Sequence, residues 1–230
     1  YLGTPAVQSA LANHGGGGAG NAGGVVRSSC GPDCRQSASS SGGGGHATAG
    51  GDGTGTAGLI GGVGGQAYGD AALDRIHFGS GSGGPADGYG NAQMCGPAGY
   101  SATGWFAGAA GGGIVWIATD SLTLLDRARI SARGAAGSAG FKGACWDVGA
   151  SGGGAGGSVF VRSSSITAGA DTIVAPGGPG TLDWVQITRS GDGGEGRIRL
   201  DYRTMNGAAF PATPEEQTIA APDPGFSSPL

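Results

Sequence analysis

The side chains best suited to chemistry in this chain are four cysteines and three histidines, and their spacing separates two kinds of it. Cys30 and Cys34 bracket a Gly-Pro turn in CGPDC, whereas Cys95 and Cys145 stand far apart, in glycine-rich loops on either side of one strand pair. An even cysteine count in a lysine-poor, glycine-rich chain reads as two disulfides, and hence an oxidising compartment. Three pairings are open. Cys30–Cys34 with Cys95–Cys145 is favoured, because CGPDC can close on itself through its turn. The competing arrangement is a zinc site of Cys30, Cys34, His14 and His46. Its C-x3-C spacing is loose and neither histidine has an H-x3-H partner, so the expectation is disulfides and no metal.

Other chemistry is weaker. GGDGTGTAG (50–58) approaches a calcium-binding nonapeptide, but Gly55 occupies the position where GGxGxD needs aspartate, and the motif depends on repetition. Calcium is the one cofactor alternative to none. GEGRIR neither follows a strand nor opens a helix, so it fails as a dinucleotide site. His77 in RIHF reads as a strand residue, while His14 and His46 are flanked by glycine runs. Asp120, Asp126, Asp183 and Asp201 could assemble a hydrolytic carboxylate pair, with only three glutamates in the chain to help. The arginines at 127, 129, 133, 162, 197, 199 and 203 could form a stripe for anionic glycans, against a solvated face paired with aspartates. Of the four tryptophans, Trp116 sits in an apolar run and reads as core, and Trp184 carries no separate signal. Trp105 and Trp146 lie in glycine loops, where an exposed ring could stack on a sugar or a neighbouring subunit. Trp105, Trp146, Arg197 and Arg199 are therefore the candidate ligand or partner contacts.

Composition limits what can hold these residues in place. Glycine and proline, 56 and 11 residues, leave little to bury, and the net charge of −4 is too small to keep the chain open. With 11 arginines, one lysine and no basic block, nucleic acid is excluded as the expected partner. No run reaches the roughly 20 apolar residues of a membrane helix. A first residue of Tyr, without Met or signal peptide, is expected of a processed product or an excised piece.

From residue 111 a repeating grammar emerges: glycine run, strand, turn, strand, glycine run. GGGIVWIATD (111–120) is a strand-like apolar run, followed by SLTLLD and RARISAR. In the last, Ala128, Ile130 and Ala132 share one face and Arg127, Arg129, Ser131 and Arg133 the other. GGGAGGSVFVRSSSITAGADTIVAPGGPG (152–180) repeats the order, and GDGGEGRIRLDYRTM (191–205) begins a third copy. In that copy Ile198, Leu200 and Tyr202 should point inward, and Arg197, Arg199, Asp201 and Arg203 outward. The copies start at Gly113, Gly157 and Gly196. LDRIHF (73–78) is a further strand candidate, and no stretch carries a helix pattern. Residues 1–209 form one expected domain, followed by a Pro-rich extended tail over 210–230.

Glycine recurs at every third position at 55, 58, 61 and 64, and again at 134, 137, 140 and 143. Polyproline II has three residues per turn and no internal hydrogen bonds. Glycine at that period lines one bare edge of each rod, so that two rods can approach until their main chains bond across. The expected fold class is all-β with little or no helix, with short strand pairs in repeats alternating with packed glycine-rich polyproline II rods.

GGVGGQAYGD with LDRIHFGSGSGG, GGGIVWIATDSLTLLDRARISARGAAG, GGGAGGSVFV and GGEGRIRLDY resemble the glycine-rich repeat proteins that some bacteria export to their surface. The rods are also similar to the polyglycine domains of phage tail-tip adhesins and springtail antifreeze proteins. The resemblance implies a non-enzymatic, extracellular or cell-surface protein with an adhesive or structural role. Strand edges and bare glycine edges both invite pairing, so the expected partners are copies of itself, in a filament or matrix, and surface glycans. Ice binding and a β-rich hydrolase are the alternatives.

Overall fold

The computed structural model describes residues 40–55, 61–84, 108–125, 127–140, 149–183 and 188–209. The four cysteines, His14, Gly58, Gly143, Trp105, Trp146, Trp184, Asp126 and the 210–230 tail lie outside the described residues. Among the described residues there is no helix. Glycine-rich rods alternate with six strands: β1 (Ile114–Thr123), β2 (Ile130–Ser131), β3 (Ser158–Thr167), β4 (Ile173–Val174), β5 (Arg197–Met205) and β6 (Ala208–Ala209).

The described rods, numbered in chain order, are rod 1 (40–45), rod 2 (49–54), rod 3 (61–66), rod 4 (79–84), rod 5 (108–113), rod 6 (132–138), rod 7 (149–157), rod 8 (175–181) and rod 9 (190–196). Rod 7 is the axis of the assembly. Its N–H groups leave it in three directions that recur every third residue. Ser151, Gly154 and Gly157 donate to Ser138, Ala135 and Ala132 of rod 6, Gly152 and Ala155 to Gly83 and Ser80 of rod 4, and Gly153 and Gly156 to Gly191 and Gly194 of rod 9. Its carbonyls accept from three other neighbours: Ala150 and Gly153 from Ser41 and Gly44 of rod 1, Ala155 from Gly112 of rod 5, and Gly154 from Gly178 of rod 8. These bonds span 2.7–3.0 Å, apart from 3.4 Å for Gly152 N to Gly83 O. A three-residue period with every bond leaving the rod is the geometry of polyproline II.

The six neighbours close a ring. Gly83 N bonds Gly42 O between rods 4 and 1, Gly79 N bonds Gly112 O between rods 4 and 5, and Ala135 N bonds Ala110 O between rods 6 and 5. Gly134 N bonds Pro176 O between rods 6 and 8, Gly193 N bonds Gly178 O between rods 9 and 8, and Gly191 N bonds Ser41 O between rods 9 and 1. Rods that take an N–H from rod 7 alternate around the ring with rods that give one. Rods 2 and 3 extend the lattice on the far side of rod 1, through Gly43 N to Gly51 O and Gly65 N to Gly43 O. The main chain thus satisfies itself without β-sheet pairing.

Close approach explains the glycines of rod 7. A Cβ on Gly154 would overlap the carbonyl of Ala110, and one on Gly157 that of Gly113. Serine occupies several of the remaining buried positions, because its hydroxyl can bond the next rod. Ser41 Oγ donates to Gly83 O at 2.7 Å and accepts from Gly152 N at 3.0 Å, and Ser80 Oγ donates to Gly45 O.

Rods 5, 7 and 9 lie parallel and run directly into β1, β3 and β5, so these strands pair in parallel in the order β1-β3-β5-β6, with short antiparallel β6 at one edge. Register partners are 44 residues apart across β1–β3 (Ile114 with Ser158) and 39 apart across β3–β5 (Ser158 with Arg197). The two arms of one copy do not pair with each other. The returning arms, β2 and β4, form their own parallel pair and lead into rods 6 and 8. The core brings together Val159, Val161, Ile166 and Leu200 from the larger sheet, buried with Ala132, Ala168 and Ala175, and Ile130 and Ile173 from β2 and β4 pack against it.

Inward and outward positions do not alternate uniformly along the strands. Val115 and Ile117, Val159 and Val161, and Ile198 and Leu200 face the core, and then Leu122, Ile166 and Met205 take over at the opposite parity. All three strands shift at the same level, so their register survives. Ser163 Oγ donates to Ser165 O at 2.8 Å and Thr119 Oγ1 to Ser121 O at 3.2 Å at that level.

Three expectations are corrected. Trp116 is 61% exposed rather than core, because Val115 and Ile117 take the inward positions on either side of it. Asp201 belongs to the outward set yet is fully buried, because a loop covers that part of the face. LDRIHF, with His77, forms that loop instead of a strand.

Gly154→Ala should lower unfolding free energy by about 3 kcal/mol or more, since backbone cannot move aside as a side chain can. Gly113→Ala, where a Cβ meets nothing within 4 Å, should change it by less than about 0.5 kcal/mol. Urea denaturation of both variants measures the difference.

Candidate functional site

The outer face of the parallel sheet gathers most of the larger polar and aromatic side chains. Strand register sets them in rows: Trp116, Phe160 and Arg199 lie side by side on β1, β3 and β5, and Ala118, Arg162 and Asp201 form the next row. The Arg199 guanidinium carbon lies 5.1 Å from the Phe160 ring centroid, within cation–π range. Its Nε donates to Asp201 Oδ1 at 2.8 Å and its Nη2 to Oδ2 at 3.4 Å, a forked pair in which Asp201 has no appreciable exposure. Trp116 remains open at the other end of the row.

Residues 66–78 cross this face as a strap. Arg199 Nη1 donates to Ala72 O and pairs with Asp74 Oδ1 at 3.3 Å; Arg197 Nη2 donates to Tyr68 O at 2.9 Å; and Ser158 Oγ donates to His77 O at 2.7 Å. Tyr68 Oη bonds Phe78 O, closing the strap on itself. Inside the turn Asp70 Oδ1 accepts Asp74 N at 3.0 Å, and this bond, foremost among several, holds the exposed Asp70 carboxyl below its ordinary range. Leu73 adopts φ 54° and is buried. A branched side chain in the left-handed region is strained by about 1–2 kcal/mol, which burial of its apolar surface offsets.

Where rod 1 meets the strap, His46 is entirely buried. Its Nδ1 lies 2.8 Å from Gly156 O; since a carbonyl only accepts, Nδ1 carries the proton. Tyr68 lies against the imidazole with centroids 5.0 Å apart, and His77 meets Tyr68 edge-on at 5.8 Å. His46 Nε2 and Arg197 Nε are buried with no hydrogen-bond partner among the described residues. Desolvation lowers the His46 pKa from its ordinary 6.5, with Arg197 and His77 adding to the shift against the Gly156 bond.

The other expected chemical residues are dispersed. Asp52, in the calcium-like stretch, accepts Gly64 N at 2.7 Å. Asp183 accepts Thr188 Oγ1 at 3.0 Å, Asp201 serves Arg199, and Asp120 stands exposed on β1. Among the described residues no three His, Cys, Asp or Glu side chains converge as metal ligands. GASGG (149–153) fits the G-x-S-x-G pattern, but Ser151 is buried in rod 7, where its Oγ accepts Ser138 N. The arginines divide between layers: Arg127, Arg129 and Arg133 flank β2, exposed, while Arg197 and Arg199 are spent on the strap. Gly61, Gly64, Gly134 and Gly137 each face a carbonyl of an adjacent rod, and Gly55 and Gly140 end described stretches.

The strap itself is what sequence reasoning missed. Its signal was local: Tyr68, Leu73, His77 and Phe78 are bulky residues beside glycine runs, and GD at 69–70 marks a turn. Comparison with family models, curated proteins and solved structures finds no match for this chain. Among the described residues no helix is long and apolar enough to cross a membrane.

Removing Arg199 leaves the Asp201 carboxylate buried without its partner. Arg199→Met should cost about 3–5 kcal/mol, and Arg199→Met with Asp201→Leu should recover most of it. Thermal unfolding of the single and double variants measures the recovery.

Proposed function

We propose that this chain is a non-enzymatic, exported structural or adhesive module that associates with copies of itself at a cell surface or in an extracellular matrix. The observation that carries the reading is the closed ring of six rods around rod 7. A lattice held by main-chain bonds at close contact holds a fixed shape, which suits a spacer or building block. The pairing edge of β1 supports association. This ten-residue strand ends the sheet order, carries no proline, and presents the exposed Trp116 beside a single charge, Asp120. Such an edge lacks the usual guards against pairing. Trp116 is also the described ring best placed to stack on a surface glycan.

Light scattering and negative-stain imaging across a concentration series test the proposal. Discrete oligomers, filaments or sheets are expected, and Trp116→Ser should weaken the association constant about tenfold or more, in the range of an interface aromatic hot spot. Dispersed monomers at every concentration, without glycan binding, would overturn it.

A further inference from the structure

The strap is fastened at one end by a histidine whose second nitrogen has nothing to bond among the described residues. His46 Nδ1 donates to the Gly156 carbonyl of rod 7, which leaves Nε2 as a buried lone pair. Its main chain holds the strap as well, since Tyr68 N donates to His46 O at 2.9 Å. The rings of His46, Tyr68 and His77 then follow one another from the rod bundle onto the strap. From β5, Arg197 reaches the same place and donates to Tyr68 O and Gly69 O.

We propose that His46 is an acid-sensitive latch: a proton taken from solvent by Nε2 releases the strap of residues 66–78 from the outer face of the sheet. Protonation turns an acceptor into a donor that finds no acceptor among the described residues. It also creates a buried cation beside the Arg197 guanidinium. The charged and titratable groups facing His46 are Arg197 from β5 and Tyr68 and His77 from the strap, of which Arg197 and His77 disfavour the imidazolium. Rod 7 offers the backbone of Gly156, whose carbonyl takes the Nδ1 proton, and of Gly157, whose carbonyl already accepts Arg197 N. On the rod 9 side, Glu195 is exposed and bonds the 46–48 turn through its main chain, Ala47 N to Glu195 O and Glu195 N to Thr48 Oγ1. Asp70 on the strap is exposed and engaged by Asp74 N. Among the described residues no carboxylate is therefore in place to compensate the new charge.

The direction of the pH effect follows. The folded-state pKa lies below the ordinary 6.5, so the fastened strap is fully stable above that value and loses stability as pH falls through the folded pKa. Release frees Arg197 and Arg199 and uncovers Phe160 and Asp201 beside the open Trp116, enlarging the face available to a partner in acid.

Amide hydrogen exchange, corrected for intrinsic rates, tests this on the whole chain. Between about pH 7.5 and about pH 5, strap amides such as Tyr68 and Asp74 should lose protection, by up to about tenfold for each unit by which the His46 pKa is depressed, while the rod 7 amides keep theirs. His46→Gln should remove this pH dependence and His77→Gln should retain it. Should His46→Gln fail to fold, the NMR titration of His46 in the unaltered protein decides instead, since its midpoint must coincide with that of strap release. Equal strap protection at both pH values, simultaneous loss in strap and rods, an acid response that survives in His46→Gln, or midpoints that differ would each overturn the latch.

Discussion

Everything in this molecule depends on one contact, the approach of a main-chain carbonyl to the bare α-carbon of the next rod. Gly154 against Ala110 and Gly157 against Gly113 are spaced so that no side chain fits between them. At that spacing each N–H of rod 7 from Ser151 to Gly157 reaches a carbonyl on a neighbouring rod. Such a bond contributes about 1 kcal/mol net, less than burying a leucine, so the lattice gains its strength from number. The ring closes because polyproline II directs its bonds outward in three directions, and six neighbours bond to one central rod.

The same rods determine the rest. Because rods 5, 7 and 9 run parallel, the strands they continue into must pair in parallel, which puts the returning arms in a separate layer. The core between the layers is small, and Val159, Val161, Ile166 and Leu200 supply its larger buried side chains. Trp116, Phe160, Arg199 and Asp201 lie on the outer face, where the strap engages Arg199. Arg199 links Phe160, Asp201 and Asp74, and Arg197 holds the strap beside it.

Local rules read the periodic parts of this fold well. Absence of helix followed from the missing caps and the dense glycine, and the starts at Gly113, Gly157 and Gly196 lie at one level of the sheet. Nothing local could reveal which rod neighbours which, since rods 1 and 9 are alike in composition and meet only through distant chain connections. Trp116 was misread because an apolar run does not show which of its residues faces inward. Asp201 was misread because the cover over it comes from more than a hundred residues away. The parity shift beyond Ile117, Val161 and Tyr202 escaped for a similar reason, since serine and threonine at the shift on β1 and β3 fit either face. His46, flanked by glycines, gave no hint that a tyrosine would lie against it.

The straight passage of rods 5, 7 and 9 into β1, β3 and β5 has a mechanical consequence. A pull along these segments loads the lateral bonds in shear, so many must yield together instead of opening one after another. Tension on the body would be spread over the ring around rod 7, and the strap, lying across the sheet and anchored by side chains, would be the first part to give.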